Sequence, residues 1–148
     1  MKAKKLISIF MVVVMAVTIF AVNAFAVEVK RLHDEDTYYP FDLYSFSSYD
    51  TSCASNFSII TLQSKNYSAT VHTQSVVVAY YTDNTTDMDS QIGVREEADY
   101  EGDGQGSSAR VYYDEEKVVD RFSFQHYFFV NGSCVKRDTY YADYGVDG

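Results

Sequence analysis

The residues that are scarce in this chain limit the chemistry it can carry out. It has no tryptophan, one proline, two cysteines and three histidines. The two cysteines and three scattered histidines do not have the close spacing of the ligands in a structural zinc site. Neither G-x-S-x-G nor H-E-x-x-H occurs, so two common catalytic arrangements are also missing. We therefore expect a protein that is not an enzyme and that needs no cofactor, with calcium as the one exception considered below.

The first 26 residues have the three parts of a cleavable signal peptide. Three lysines give a basic start, residues 6–22 are almost entirely apolar, and Ala24 and Ala26 are small where signal peptidase needs small side chains. An uncleaved anchor is the alternative, but the apolar run is shorter than the roughly 20 residues that span a bilayer as a helix. We therefore expect removal of residues 1–26, which leaves residues 27–148 as a single secreted, extracellular domain without a later membrane span.

Basic residues are also scarce in the part that would be exported. The whole chain has 12 Lys and Arg against 21 Asp and Glu, a formal charge of −9. The predicted signal peptide removes three lysines and no acid, so 9 basic residues face 21 acidic ones and the charge becomes −12. Such a surface repels nucleic acid and anionic lipid headgroups. The expected partner is an extracellular protein or a cell-envelope component.

The exported part has the sequence pattern of an all-β domain. No stretch of helix length shows a 3.6-residue period, and short runs of β-branched and aromatic residues are separated by Asn, Asp, Gly and Ser. The spacing predicts about seven or eight antiparallel strands in a small β-sandwich of immunoglobulin-like size, with a barrel as the alternative. Residues 27–36 are charged and are predicted to be a loose N-terminal arm, and residues 97–108 a flexible loop.

The two cysteines are predicted to form one disulfide. Cys53 and Cys134 both lie in the exported part, and two cysteines in a small extracellular domain usually pair. The bridge would close a long loop and stabilise the domain by roughly 4 kcal/mol in the chain-entropy model. The alternative is two separate buried thiols.

The clearest local unit is a hairpin with a two-residue turn at Asn131-Gly132. This turn places Val130 opposite Ser133 and, if the register is regular, His126 opposite Arg137. The pair could line a pocket mouth that binds an anion or a carboxylate. Alternatively, both side chains lie where the sheet extends past its partner and meets water.

A short acidic segment resembles part of a calcium loop. Asp99, Glu101 and Asp103 alternate and are followed by a glycine, which is the pattern of oxygen ligands around a sharp turn. The match fails at its twelfth position, where Arg110 replaces the bidentate glutamate. The segment therefore predicts either weak calcium binding or a solvated acidic loop.

Tyrosine is the unusual feature of the composition. The chain has 14 tyrosines, and four Tyr-Tyr doublets occur. In a strand, each doublet should bury one ring and expose the other. Exposed tyrosines suit binding surfaces, so Tyr112 and Tyr140 join His126 and Arg137 as candidate ligand-binding residues. The alternative is that tyrosine is simply a good strand former.

These observations favour a non-enzymatic binding or surface-assembly function for a secreted acidic β-domain. A secreted antagonistic protein, similar to a bacteriocin or toxin, is the alternative. A small extracellular hydrolase with paired carboxylates is a third, more distant hypothesis.

Overall fold

The computed structural model describes residues 30–144, which form eight β-strands and no helix. The strands are β1 (Lys30–Tyr38), β2 (Phe41–Tyr49), β3 (Cys53–Leu62), β4 (Ala69–Tyr81), β5 (Thr86–Ala98), β6 (Gly104–Tyr112), β7 (Val119–Val130) and β8 (Ser133–Asp143). Within this range, no helix long and apolar enough to cross a membrane is present. The predicted signal peptide lies outside the described residues.

The strands form two four-stranded antiparallel sheets that pack face to face. Sheet A has the order β1-β2-β3-β6, and sheet B has the order β5-β4-β7-β8. The two sheets lie close together along β5 and β6. At the opposite side, β1 and β8 are the edge strands, and the described strands do not close into a barrel. The predicted small β-sandwich is thus confirmed.

Alternation along the strands builds the core. In β2 every second residue from Phe41 to Tyr49 is buried, and the residues between them are partly exposed. On β7, Phe122, Phe124 and Phe128 are fully buried and share the core face. Burying each such ring stabilises the fold by about 1.5–3 kcal/mol relative to leaving it exposed. The alternating pattern therefore sets the inward face of strands such as β2.

The apolar core is divided into two clusters at opposite ends of the sandwich. One cluster contains Tyr49, Phe122 and Phe124, and the other contains Phe41 and Phe128. Buried serine, threonine, asparagine and histidine side chains lie between them. A polar layer therefore crosses the middle of a core that would otherwise be one hydrophobic unit.

Two local predictions were wrong. The N-terminal arm is a strand from Lys30 onward, because β1 pairs with β2 along its whole length. Its charged residues concealed the strand pattern, since Asp34 and Asp36 point toward Lys136 of the opposite sheet. The predicted flexible loop is also too long, because β6 already begins at Gly104.

The predicted disulfide was wrong as well. Cys53 and Cys134 are both free. Cys53 begins β3 in sheet A opposite Tyr112, whereas Cys134 lies at the start of β8 in sheet B opposite Phe129. The two residues are therefore on different sheets and at opposite ends of the sandwich. Oxidising conditions favour pairing only where the two Cα atoms are within about 7 Å of each other.

Candidate functional site

The hairpin prediction is confirmed at the turn but not in the register beyond it. Asn131 and Gly132 both have positive φ, and Val130 pairs with Ser133. A β-bulge between Phe128 and Phe129 then shifts the pairing by one residue. Because neighbouring residues of a strand face opposite ways, this shift separates the two predicted partners.

His126 and Arg137 therefore do not form a common pocket mouth. His126 pairs with Asp138 and points into the core, and Arg137 pairs with Tyr127 and points to solvent. His126 is 0% exposed. Burial lowers its pKa to about 4, so the ring is neutral at physiological pH.

His126 is held by serines from the opposite sheet. Its Nε2 lies 2.9 Å from Ser47 Oγ, and its Nδ1 lies 2.8 Å from Ser58 Oγ. Ser58 Oγ continues to Ser75 Oγ at 2.8 Å, and Ser75 reaches Ser107. These contacts satisfy polar groups that would otherwise be costly to bury.

Asn56 ties the same layer to the backbone of sheet B. It accepts a hydrogen bond from Ser47 and donates to the carbonyl oxygens of Val76 and Gln125, each at 2.8 Å. We call Ser47, Asn56, Ser58, Ser75, Ser107 and His126 the buried polar layer. It joins both sheets at mid-height and fixes their alignment.

The buried polar layer does not have the properties of an active site. A serine and a histidine at hydrogen-bond distance are the first requirement of a nucleophile–base pair. However, Ser47, Ser58 and His126 are almost completely buried, so a substrate cannot reach them. Both ring nitrogens are already used by serines, which leaves neither for an orienting carboxylate. The layer therefore supports a structural function.

The outer face of sheet B has a very different character. Five consecutive outward positions of β4, from Tyr80 to His72, have cross-strand neighbours on β5 and β7, and β8 extends the rows beyond β7. We call this outer surface the Tyr–Arg face. Its defining residues are His72, Val76, Val78, Tyr80, Met88, Ile92, Val94, Arg121, Tyr127, Phe129, Arg137 and Tyr141.

Carboxylates are nearly absent from the Tyr–Arg face. Within its five rows Asp143 is the only acid, and it lies opposite Arg121. Asp87 and Asp89 of β5 belong to the other side of the strand, where they bind Tyr81 and the Arg110 backbone. In a chain with 21 acids and 12 basic residues, this distribution leaves Arg137 as the unbalanced charge of the face.

Aromatic contacts hold the cations of the Tyr–Arg face in place. The Arg121 guanidinium lies 5.0 Å from the Tyr80 ring centroid, and that of Arg137 lies 5.7 Å from the Tyr127 centroid. These are cation–π distances, and stacking limits the freedom of both arginines. The arginines are thus partly preorganised on a flat aromatic support.

Large apolar side chains on this face are open to solvent. Tyr141 is 68% exposed, Met88 67% and Ile92 61%. They surround Val76 and Val78, which neighbouring side chains cover. Exposed apolar side chains grouped on one face are a feature that interaction sites share.

No family model matches the chain, and neither a curated protein nor a solved structure matches it. We therefore infer function from the geometry of the surface.

The four residues predicted to bind a ligand lie in three different places. Arg137 belongs to the Tyr–Arg face, whereas Tyr112 is exposed on the outer face of sheet A. Tyr140 points inward with His126, and its hydroxyl lies 3.4 Å from Ser45 Oγ. In the doublets Tyr80-Tyr81, Tyr112-Tyr113 and Tyr140-Tyr141 one ring is more buried than the other, but only Tyr81 is fully buried.

The acidic loop does not assemble a cation site. Asp103 binds Arg95 at 2.8 Å and accepts hydrogen bonds from the backbone N–H groups of Asp99 and Tyr100. Among the described residues no group of three His, Cys, Asp or Glu side chains is arranged to hold a metal. Calcium binding by Asp99, Glu101 and Asp103 stays a prediction for which the loop offers no preformed site.

The sequence-based reasoning missed a charged cluster at the edge between β1 and β8. Lys136 Nζ lies 2.8 Å from Asp34, 2.9 Å from Asp36 and 3.2 Å from Asp138. Inward-pointing charges on edge strands oppose pairing with the edges of other molecules. The alternation of Asp34 with Asp36 and of Lys136 with Asp138 was the available signal. The cluster therefore opposes edge-to-edge pairing at β1 and β8.

A cleft lies at the end of the sandwich near Cys53. It has a volume of about 470 Å³ and is lined by Thr51, Ser52, Tyr112, Tyr113, Asp114, Glu115, Lys117, Val118, Val119 and Tyr144. Its charges have mixed sign, with Lys117 already 3.6 Å from Asp114. The cleft therefore has less distinctive chemistry than the Tyr–Arg face.

Proposed function

We propose that this protein is a secreted, non-enzymatic binding or surface-assembly domain that recognises another protein through the Tyr–Arg face. The observation that supports the proposal most directly is the composition of that face. Protein interfaces are enriched in aromatic residues, Met and Arg at their centres and depleted in Lys, Glu and Asp. The five rows of the Tyr–Arg face contain four Tyr and Phe rings, one methionine and two arginines, with no Lys and no Glu, while the middle row of Ser90, Val76, Gln125 and Thr139 is mainly polar.

The geometry of the face also suits a protein partner. Tyr and Arg are the residue types that contribute most often to binding hot spots. Here Arg121 and Arg137 are stacked on tyrosine rings, so less side-chain freedom is lost when a partner binds. A rigid strand framework holds the rings, which further reduces the cost of association.

A protein fits this face better than a polysaccharide does. Met88, Ile92 and Val94 form an exposed aliphatic strip along β5. Aliphatic side chains offer no hydrogen bonds to sugar hydroxyl groups, but they gain free energy when another apolar surface covers them. The acid excess of the chain also disfavours nucleic acid.

A matched pair of tyrosine variants tests the proposal. Tyr141 on the Tyr–Arg face and Tyr112 on the outer face of sheet A are both 68% exposed. The exported protein, residues 27–148, is immobilised and exposed to extracellular and envelope proteins of the cell that produces it. Each retained protein is then purified, and its affinity is measured.

We expect wild type and Tyr112→Glu to bind the same partner equally. Tyr141→Glu should weaken binding by about 30-fold, the effect of losing a hot spot worth about 2 kcal/mol. Equal binding by both variants, or no specific partner for the wild type, would contradict the proposal.

A further inference from the structure

We propose that the partner of the Tyr–Arg face is a second copy of this chain, packed sheet against sheet around a two-fold axis. This inference rests on the proposed function and names its partner. The axis lies in the interface between the two faces, is parallel to the strands, and passes above the gap between β4 and β7 of each copy. Sheets packed face to face with nearly aligned strands are a common arrangement in β-sandwiches.

The charge distribution permits this contact. The predicted exported chain carries −12, so two copies repel each other in most orientations. The Tyr–Arg face contributes one carboxylate, Asp143, which lies opposite Arg121 in the same chain. Two copies that meet here bring together apolar and aromatic side chains and about as many polar ones, and Arg137 of each copy lies over Ile92 of its partner.

The face complements itself under this symmetry. Rotation about an axis between β4 and β7 places β5 of one copy over β8 of the other, row by row. Met88 and Tyr141 share a row, as do Tyr80 and Arg121. Each copy therefore sets a methionine on its partner's exposed tyrosine and a tyrosine ring on its partner's arginine, and the symmetry repeats both contacts.

The size of the face is adequate for a stable dimer. Four strands at about 4.8 Å spacing and five rows at about 6.8 Å give a footprint of about 19 by 34 Å. That footprint of about 650 Å² is close to the roughly 800 Å² per partner of a standard interface. It is the area of a plane, so the surface of the projecting side chains is larger. The outer face of a four-stranded sheet can therefore bury enough surface against its own copy.

Sedimentation equilibrium of residues 27–148, which include every strand, tests the inference across the micromolar range. We expect a dimer mass for wild type and for Tyr112→Glu. Tyr141→Glu and Met88→Lys should each raise the dimer dissociation constant about a hundredfold, because each change occurs twice in one interface. The double variant Tyr141→Glu with Met88→Lys should recover the dimer, since opposite charges then face each other across copies.

The double variant separates the contact from a folding defect. Within one chain Met88 and Tyr141 are on the two outer strands of sheet B, about 14 Å apart, so the recovery cannot arise inside the monomer. A monomeric wild type, or a dimer that both single variants leave intact, would overturn the inference. A monomeric wild type that still binds another protein through Tyr141 would overturn only the dimer and leave the proposed function standing.

Discussion

Lowering the pH from 7 to 5 should weaken the fold through His126. The ring is completely buried between Ser47 and Ser58, and its pKa is lowered to about 4, chiefly by burial. Asp34 acts against this shift and Lys136 adds to it, both to a smaller extent. Asp138 and Tyr140 are the other titratable side chains of β8 on this side of the sheet.

The sign and the size of the effect follow from the two pKa values. In the unfolded chain His126 titrates near its ordinary value of about 6.5. Below that pH His126 binds a proton in the unfolded chain, whereas in the folded chain it stays neutral until the pH falls to about 4. Stability is therefore complete above pH 6.5 and falls as the pH drops toward 4. The full difference is about 3 kcal/mol, of which about 2 kcal/mol is lost by pH 5.

Other titrating groups can be separated from this effect. Several carboxyl groups have lowered pKa values because of hydrogen bonds and nearby cations, namely Asp34, Asp36, Asp50, Asp83 and Asp103. Their stabilisation is lost only as the pH falls below their ordinary value near 3.8. His72 has a pKa lowered by burial and acts in the same direction as His126, so it needs its own control.

Urea unfolding at pH 7 and pH 5 measures the difference. Between pH 7 and pH 5, the free energy of unfolding of wild type and of His72→Gln should fall by most of the expected amount of about 2 kcal/mol. That of His126→Gln should change little, because the buried titrating group is gone. If His126→Gln does not fold, a proton NMR titration of the wild-type imidazole gives the same information. A folded His126 that titrates near 6.5, or an equal pH response in wild type and His126→Gln, would refute the reasoning.

Three further outcomes are expected. Asn56→Leu should lower the free energy of unfolding by about 2–4 kcal/mol, because two buried carbonyl oxygens lose their donor; an unchanged urea midpoint would argue against a structural polar layer. Lys136→Met should cost roughly 1 kcal/mol at pH 7 and less at a pH well below 3.8, where Asp34 and Asp36 take up protons although Lys136 lowers their pKa values; a loss that does not vary with pH would contradict the cluster. Mass spectrometry of alkylated, unreduced monomer should find Cys53 and Cys134 each carrying one alkyl group, whereas a chain lighter by two hydrogens would show the bridge that the structure excludes.

Much of the fold could be predicted because it follows from local pattern. The alternation of Phe122, Phe124 and Phe128 and the turn at Asn131-Gly132 are both visible in the sequence. These features fix strands, their inward faces and one hairpin. They were sufficient for a small β-sandwich because periodicity and turn chemistry are short-range properties.

The candidate site could not be predicted in the same way. One bulge at Phe128 and Phe129 exchanged the neighbours of His126, and no residue type in the hairpin marks that bulge. The Tyr–Arg face combines four strands that are distant in sequence, so it appears only when the strand order is known. The cysteine pairing failed for the same reason, since composition says nothing about which ends of the sheets meet.

The central claim is that the Tyr–Arg face is the surface by which this protein binds. Hydroxyl-radical footprinting tests it directly, by comparing the protein in the extracellular setting proposed for it with dilute purified protein. We expect Tyr141 and Met88 to be protected in the extracellular setting and Tyr112, which is equally exposed as Tyr141, to react to the same extent in both samples. Protection of Tyr112 with Tyr141 and Met88 unchanged would contradict the account.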